Sequence, residues 1–207
     1  VSGSPECFLA RVGLQISSYP IKGTRQRGTN SLDDQHQAAW LQNSEKDRAE
    51  NVMIVDLLRN DLGRICKIGS IDASQILQLQ AFPTLWHLVS KISGELRSPS
   101  PLSPILAATF PCGSITGAPK LRAMQILESI EGVQRQLSMG AIGWIGYNQD
   151  FCWNVAIRTL VIQQNKGYFN VGSGIVADSD ADNEYAESLL KAQAMLRAIA
   201  TAKSLIP

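Results

Sequence analysis

Two pairs of acidic residues in this chain have a spacing that can hold a cation. Asp47 and Glu50 are three apart, and so are Glu184 and Glu187. On a helix that spacing puts both members of a pair on one face. Like charges so placed repel, and a cation shared between two helices would relieve them. An all-oxygen ligand set that also meets a substrate favours Mg²⁺. Solvated helix faces also carry such pairs, so the spacing alone leaves both meanings open. Lys22, in Pro20-Ile21-Lys22-Gly23-Thr24, offers different chemistry. A lysine amine is a nucleophile only when neutral, and from an ordinary pKa of about 10.4 its site must lower that value by burial or a neighbouring cation. Arg158 lies in the apolar run Val155–Val161, where it needs an acid or a substrate carboxylate for company. His87, in Trp86-His87-Leu88-Val89-Ser90, fits a packed histidine when taken alone.

The elements that must position these residues are legible in outline. Residues 7–19 read as a strand and 22–37 as a polar loop. Ser31 or Ser44 can cap a helix running to about Leu62, dense enough in apolar residues to bury one face. Residues 65–82 suggest two short strands, and 84–96 a helix. Pro99, Pro101 and Pro104 make a linker into a short helix over about 103–109. The turn-rich stretch Phe110–Lys120 leads into a helix from Pro119 to about Glu131, a start that favours anions through its free N–H groups. It is not a phosphate-binding P-loop, because Lys120 falls three residues after Gly117 with no Ser or Thr behind it. Strand signals follow at Met139–Tyr147, Cys152–Gln163 and Gly167–Val176. Asn165-Lys166-Gly167 reads as a hairpin turn, and Gly172-Ser173-Gly174 as a close of backbone where a ligand could approach. A last amphipathic helix covers about 182–203. The expected class is α+β, with mixed, largely antiparallel sheets and packed helices.

Bulk properties exclude several function classes. The 207 residues carry a net charge of +1 with scattered basic residues, which argues against nucleic acid or an anionic membrane surface as partner. No apolar run is long enough to cross a bilayer. Cys7, Cys66, Cys112 and Cys152 stand far apart and only two histidines occur. That disfavours a zinc site and a disulfide framework, and fits a cytoplasmic protein.

Taken together, the segments resemble the chorismate-utilising enzymes, and within them the aminodeoxychorismate synthase component I branch. The resemblance is carried by Ser4-Pro5-Glu6, Pro20–Thr24, Asp47–Asp61, His87–Ser90, Phe110–Lys120, Ala156–Thr159, Gly172–Ser179 and Glu184–Glu187, in family order. It implies that Glu50 and Glu187 hold Mg²⁺, with Asp47 and Glu184 in or near the same cluster. Arg158 and Lys191 would take the enolpyruvyl carboxylate of chorismate, helped by Tyr147 and the backbone at Gly172 and Gly174. Ser114 would stand near the ring carboxylate and His87 beside the ring. Anthranilate synthases usually have alanine where this chain has Lys22. The lysine implies amination at ring carbon 4, with Lys22 as nucleophile and Glu6 as acid and base. The implied product is 4-amino-4-deoxychorismate, and the implied ammonia source is a glutamine amidotransferase subunit. Anthranilate formation on the same scaffold, or an inactive binding remnant with open sheet edges, are the competing expectations. Cys7, Cys112 and Ser173 depart from the residues usual in the family. Residues 1–207 are expected to form the C-terminal part of a chorismate-binding catalytic domain whose N-terminal strands are absent.

Overall fold

The protein is described by a computed structural model covering residues 1–164, 166–177 and 179–204. In chain order the elements are β1 (Cys7–Val12), β2 (Gln15–Tyr19), β3 (Ile21–Gln26), α1 (Ser31–Asn43), α2 (Glu45–Gly63), β4 (Asp72–Ala81), β5 (Leu85–Glu95), α3 (Leu102–Thr109), α4 (Gly113–Thr116), α5 (Lys120–Ile130), β6 (Ala141–Ile145), β7 (Phe151–Val155), β8 (Val161–Gln163), β9 (Lys166–Tyr168) and α6 (Ala181–Ser204). The expected α+β class with antiparallel sheets is what forms. Seven strands make one sheet in the order β3-β5-β2-β1-β7-β6, with β4 on the other side of β5. The recorded pairings are antiparallel.

Strand β5 organises the sheet, and this corrects the helix expected over 84–96. Its apolar residues Leu85, Leu88, Val89 and Ile92 do sit at helical spacing. β4 pairs with one edge of β5, while the other edge is shared by β3 (Leu85–Val89) and β2 (Ile92–Glu95). A strand so enclosed is buried on both faces and loses the alternation that marks a half-exposed strand. Its neighbours, rather than its own pattern, made it a strand. Pro20 sits where β2 hands over to β3, and its carbonyl accepts from Ser90 N at 3.1 Å.

The expected polar loop 22–37 is instead β3 and most of α1. Helix α1 buries only Leu41, so it has no apolar stripe to reveal it. Asn30 caps it by accepting from Asp33 N at 3.0 Å. Arg27 joins Asp34 through two bonds of 2.7 and 2.6 Å, and the Arg25 guanidinium lies 4.0 Å from the centre of the Trp40 ring. The two strands expected over 65–82 are one, β4, preceded by a turn in which Ser70 N donates to Lys67 O. Strand β7 stops at Val155, and β9 at Tyr168, so both strands expected there were too long. The described part of 169–180 has no regular structure. Asn165 of the expected hairpin turn lies outside the described residues.

Helix α2 fits its expectation. Ser44 caps it, accepting from Asp47 N at 3.3 Å. Asn51, Ile54, Val55, Leu58, Asp61 and Leu62 form its buried stripe, a 3.6-residue period laid on the sheet. Ile54, Val55, Leu58 and Leu62 of that stripe make the core with Phe8, Leu9, Ile16, Ile92, Leu96, Ile105, Phe151, Trp153 and Val155. Truncating one fully buried leucine such as Leu58 would cost about 2–5 kcal/mol. Among the described residues no helix is long and apolar enough to cross a membrane.

Candidate functional site

Two irregularities in the ladder aim the reactive side chains. In β3 the register against β5 shifts between Ile21 and Thr24. Gly23 there adopts φ 88°, a conformation open to glycine. A bulge of this kind turns a side chain out of the alternation, and the one at this break is Lys22. In β1 the register against β7 shifts between Cys7 and Leu9, immediately after Glu6. Lys22 lies close enough to Glu6 for its charge to lower the Glu6 pKa, and it acts on Glu50 in the same way.

Glu6 is only 4% exposed. Burial pushes its pKa up, and Ser114, Lys22 and the Ile21 backbone pull the other way without cancelling that push. Ser114 Oγ donates to Glu6 Oε1 at 2.6 Å. Cys112 Sγ stands 3.2 Å from the same hydroxyl, so the departure at Cys112 fills the wall behind Ser114. His87 is buried, and its Nδ1 is 2.9 Å from Thr24 Oγ1. Burial holds its pKa down, with a further push from Arg158. Arg158 is half-buried, and burial lowers its pKa while Glu6 raises it. The Arg158 guanidinium has no ion pair among the described residues. The backbone there is left-handed, at φ 46°, where the sequence had suggested a continuous strand.

The acidic pairs fall on α2 and α6 as expected, and Lys46 stands between them. Lys46 Nζ is 3.0 Å from Glu184 Oε1, and its charge is also felt from Glu50 and Glu187. The Ser173 and Ser179 hydroxyls together with Lys46 hold the Glu184 carboxyl down to about 2. Glu50 goes the other way, raised by burial and by its neighbours Asp47 and Glu184 against the pull of Lys22 and Lys46. Lys191 Nζ pairs with Glu187 at 2.6 Å and also donates to Gly172 O at 3.1 Å. Above them passes Gly174. A Cβ there would sit 3.6 Å from Glu50 Oε2 and 3.6 Å from Lys22 Nζ, so the missing side chain opens the surface that both groups face.

The donors are of the type a hard divalent cation takes. All are carboxylates, and Glu184 Oε2 is buried without a hydrogen-bond partner among the described residues, an orphan that a cation would satisfy. As the side chains stand, no three His, Cys, Asp or Glu residues among the described residues are grouped closely enough to hold a metal. Lys46 and Lys191 supply the positive charge in that arrangement. Sequence reasoning assigned no role to Lys46, because it is only one of several charges at the start of α2.

Tyr147 is not brought to this site. It is fully exposed on the turn between β6 and β7, where Gly146 N donates to Asp150 O. Asp150 in turn accepts from Gly13 N, in the β1–β2 turn. That is the end of the sheet opposite Glu6, so Tyr147 cannot assist Arg158. The segment that does approach is Ser138–Gly140: Met139 N donates to Ala156 O, and Met139 Cε is 4.0 Å from the Cβ position of Gly172.

Buried acid, bulged lysine, unpaired arginine and an acidic double pair thus converge on one face. Residues 1–197 match the family model described as chorismate binding enzyme. The chain belongs to that family. It is 42% identical over 199 residues to aminodeoxychorismate synthase component 1 of Bacillus subtilis, covering 96% of this chain and 42% of that protein. It is 43% identical over 199 residues to an anthranilate synthase component 1 of Haloarcula marismortui, covering 96% of this chain and 41% of that one. The solved anthranilate synthase component I of Streptococcus pneumoniae superposes with a TM-score of 0.84 at 34% identity, over 94% of this chain and 43% of that one. The chain therefore spans less than half the length of these relatives, and they differ in the reaction their names record.

Proposed function

We propose that this chain carries the catalytic residues for amination of chorismate at ring carbon 4, giving 4-amino-4-deoxychorismate. The observation that carries the proposal is Lys22, whose amine faces the Gly174 surface beside Glu50 and acts on the buried acid Glu6. Arg158, half-buried and without an ion pair among the described residues, is the counter-charge for the enolpyruvyl carboxylate. Ser114 and Glu6 lie together as a hydroxyl and a proton donor, while His87 and Thr24 form the wall beside them.

In this reaction the free Lys22 amine adds to ring carbon 2, the ring double bond shifts, and the 4-hydroxyl leaves. Glu6 donates the proton that releases it as water, a role suited to a carboxyl whose pKa burial has raised. Ammonia then adds at carbon 4, the double bond returns, and the bond between Lys22 and carbon 2 breaks. Glu6 recovers its proton from the new ammonium. Glu50 and Glu187, with Asp47 and Glu184 beside them, would hold Mg²⁺, which when bound supplies charge stabilisation at the ring carboxylate. Ammonia would come from a glutamine amidotransferase subunit, a partner that the relatives' designation as component 1 suggests.

The test is a product assay with chorismate, Mg²⁺ and ammonium, resolved by chromatography and mass. Formation of 4-amino-4-deoxychorismate that disappears in Lys22→Ala supports the proposal. Anthranilate as the product, retained in Lys22→Ala, overturns it.

A further inference from the structure

Arg158 is held in a backbone conformation that a residue with a side chain seldom adopts. Its φ of 46° lies in the left-handed region, which Cβ sterics disfavour. Such a conformation persists only where the surroundings over-determine it. The next residue, Thr159, is 7% exposed, and its hydroxyl makes two hydrogen bonds. It donates to Ile157 O at 2.9 Å and lies 2.8 Å from Ser2 Oγ. With its own proton committed to Ile157, Thr159 accepts from Ser2. On the other side of the same backbone, Gly3 N donates to Arg158 O at 3.0 Å.

The segment that supplies these contacts is the one that carries Glu6. Ser2 and Thr159 form an isolated antiparallel bridge. Farther along, Asn154 Nδ2 donates to Ser4 O at 3.1 Å, and Val155 N to Glu6 O at 3.0 Å. One strap therefore bonds the Arg158 carbonyl directly, holds the Thr159 hydroxyl that bonds Ile157 O, and ends at the buried acid. The Arg158 guanidinium itself makes no hydrogen bond or ion pair with a side chain among the described residues, so its aim depends on the backbone beneath it.

We propose that Thr159, tied down by Ser2, is a positioning residue that locks the strained Arg158 backbone and presents its guanidinium ready-aimed to a carboxylate ligand. Arginine on a free backbone would have to be ordered by the ligand, at a cost in affinity. Thr159 touches no substrate in this scheme and acts only through Arg158. The proposal rests on the assignment of this site to chorismate.

Chorismate binding, followed by titration calorimetry, tests it. Wild type, Thr159→Val, Thr159→Ser and Ser2→Ala are compared, each also in an Arg158→Ala background. Loss of the buried hydroxyl in Thr159→Val is expected to weaken binding about tenfold, with Thr159→Ser within about twofold of wild type. In the Arg158→Ala background the valine is expected to cost nothing further. Equal weakening in both backgrounds would assign Thr159 a purely structural role and overturn the proposal, as would wild-type affinity in Thr159→Val. Should Thr159→Val fail to fold, Ser2→Ala carries the same comparison, with an expected loss of about threefold that vanishes without Arg158. A wild-type chain that does not bind chorismate overturns the assignment of the site and the positioning role with it. Binding by wild type that no Thr159 variant disturbs overturns the positioning role alone.

Discussion

Ser114 Oγ donates to Glu6 Oε1 across 2.6 Å, joining the short helix α4 to the residue before β1. Both groups are buried, and this bond is the largest influence opposing the upward push of burial on the Glu6 pKa. Ser114 thus limits how far burial raises the Glu6 pKa. Ser114→Ala should move the acid–base transition of Glu6 to higher pH. Carbon-13 NMR titration of a labelled Glu6 carboxyl, with Glu6→Gln to assign the signal, would read the shift. An unmoved transition would remove Ser114 from the account of Glu6.

Glu6 also predicts a cost of function in stability. Its folded pKa is raised above the unfolded value near 4.5. The stability it contributes is therefore fully present below that value and lost as pH rises through the folded pKa. Glu6→Gln, which keeps the shape and removes the charge, is expected to raise Tm at pH 8. The gap should close at pH 4, while turnover is lost at both.

Glu184 has the opposite sign. Its carboxyl is held down to about 2 by the hydroxyls of Ser173 and Ser179 and by Lys46. That contribution is complete above the unfolded value near 4.5 and is lost as pH falls from there towards 2. Lys46→Met should lower Tm at pH 6 and should no longer do so near pH 2. A constant difference across that window would mean that packing of the lysine stem, and not its charge, is what matters.

Gly174 is the position where steric change and stability should separate. A Cβ there meets Glu50 Oε2 and Lys22 Nζ at 3.6 Å each, ordinary van der Waals contact. Gly174→Ala should fold with a Tm within about 2 °C of wild type. By occupying the surface that Lys22 and Glu50 face, it should weaken chorismate binding tenfold or more. Unchanged binding would place the substrate elsewhere.

Lys120 closes the turn that carries Ser114. It is 2.6 Å from Asp61 and donates to Thr109 O at 3.0 Å. Burial raises the Asp61 pKa, and Lys120 offsets only part of that rise. Lys120→Met would strand that carboxylate, and the loss expected for breaking a buried pair is about 3–5 kcal/mol, readable by urea denaturation. A loss below about 1 kcal/mol would mean that Asp61 reaches water.

The sequence by itself determined the local elements whose chemistry repeats along the chain. Ser44 and the 3.6-residue stripe of α2 fixed that helix, and the i, i+3 acids fell on α2 and α6 because a helix is a local structure. The motif segments also determined the family. The tertiary structure decided what depends on neighbours distant in the chain. β5 became a strand because β2, β3 and β4 enclose it, and α1 formed with almost no apolar face because Asn30, Arg25 and Arg27 hold it. Lys46 entered the acidic cluster only because the fold brings Glu184 of α6 within 3.0 Å of it. Tyr147 left the site because the β6–β7 turn points away from Glu6. The left-handed Arg158 backbone is met by Ser2 and Gly3, which lie more than 150 residues away along the chain, through Thr159 Oγ1 and Arg158 O. Spacing and periodicity encode hydrogen bonds within a helix or a turn. They do not encode which distant strand will satisfy a backbone group, and the aim of Lys22 and Arg158 depends on that.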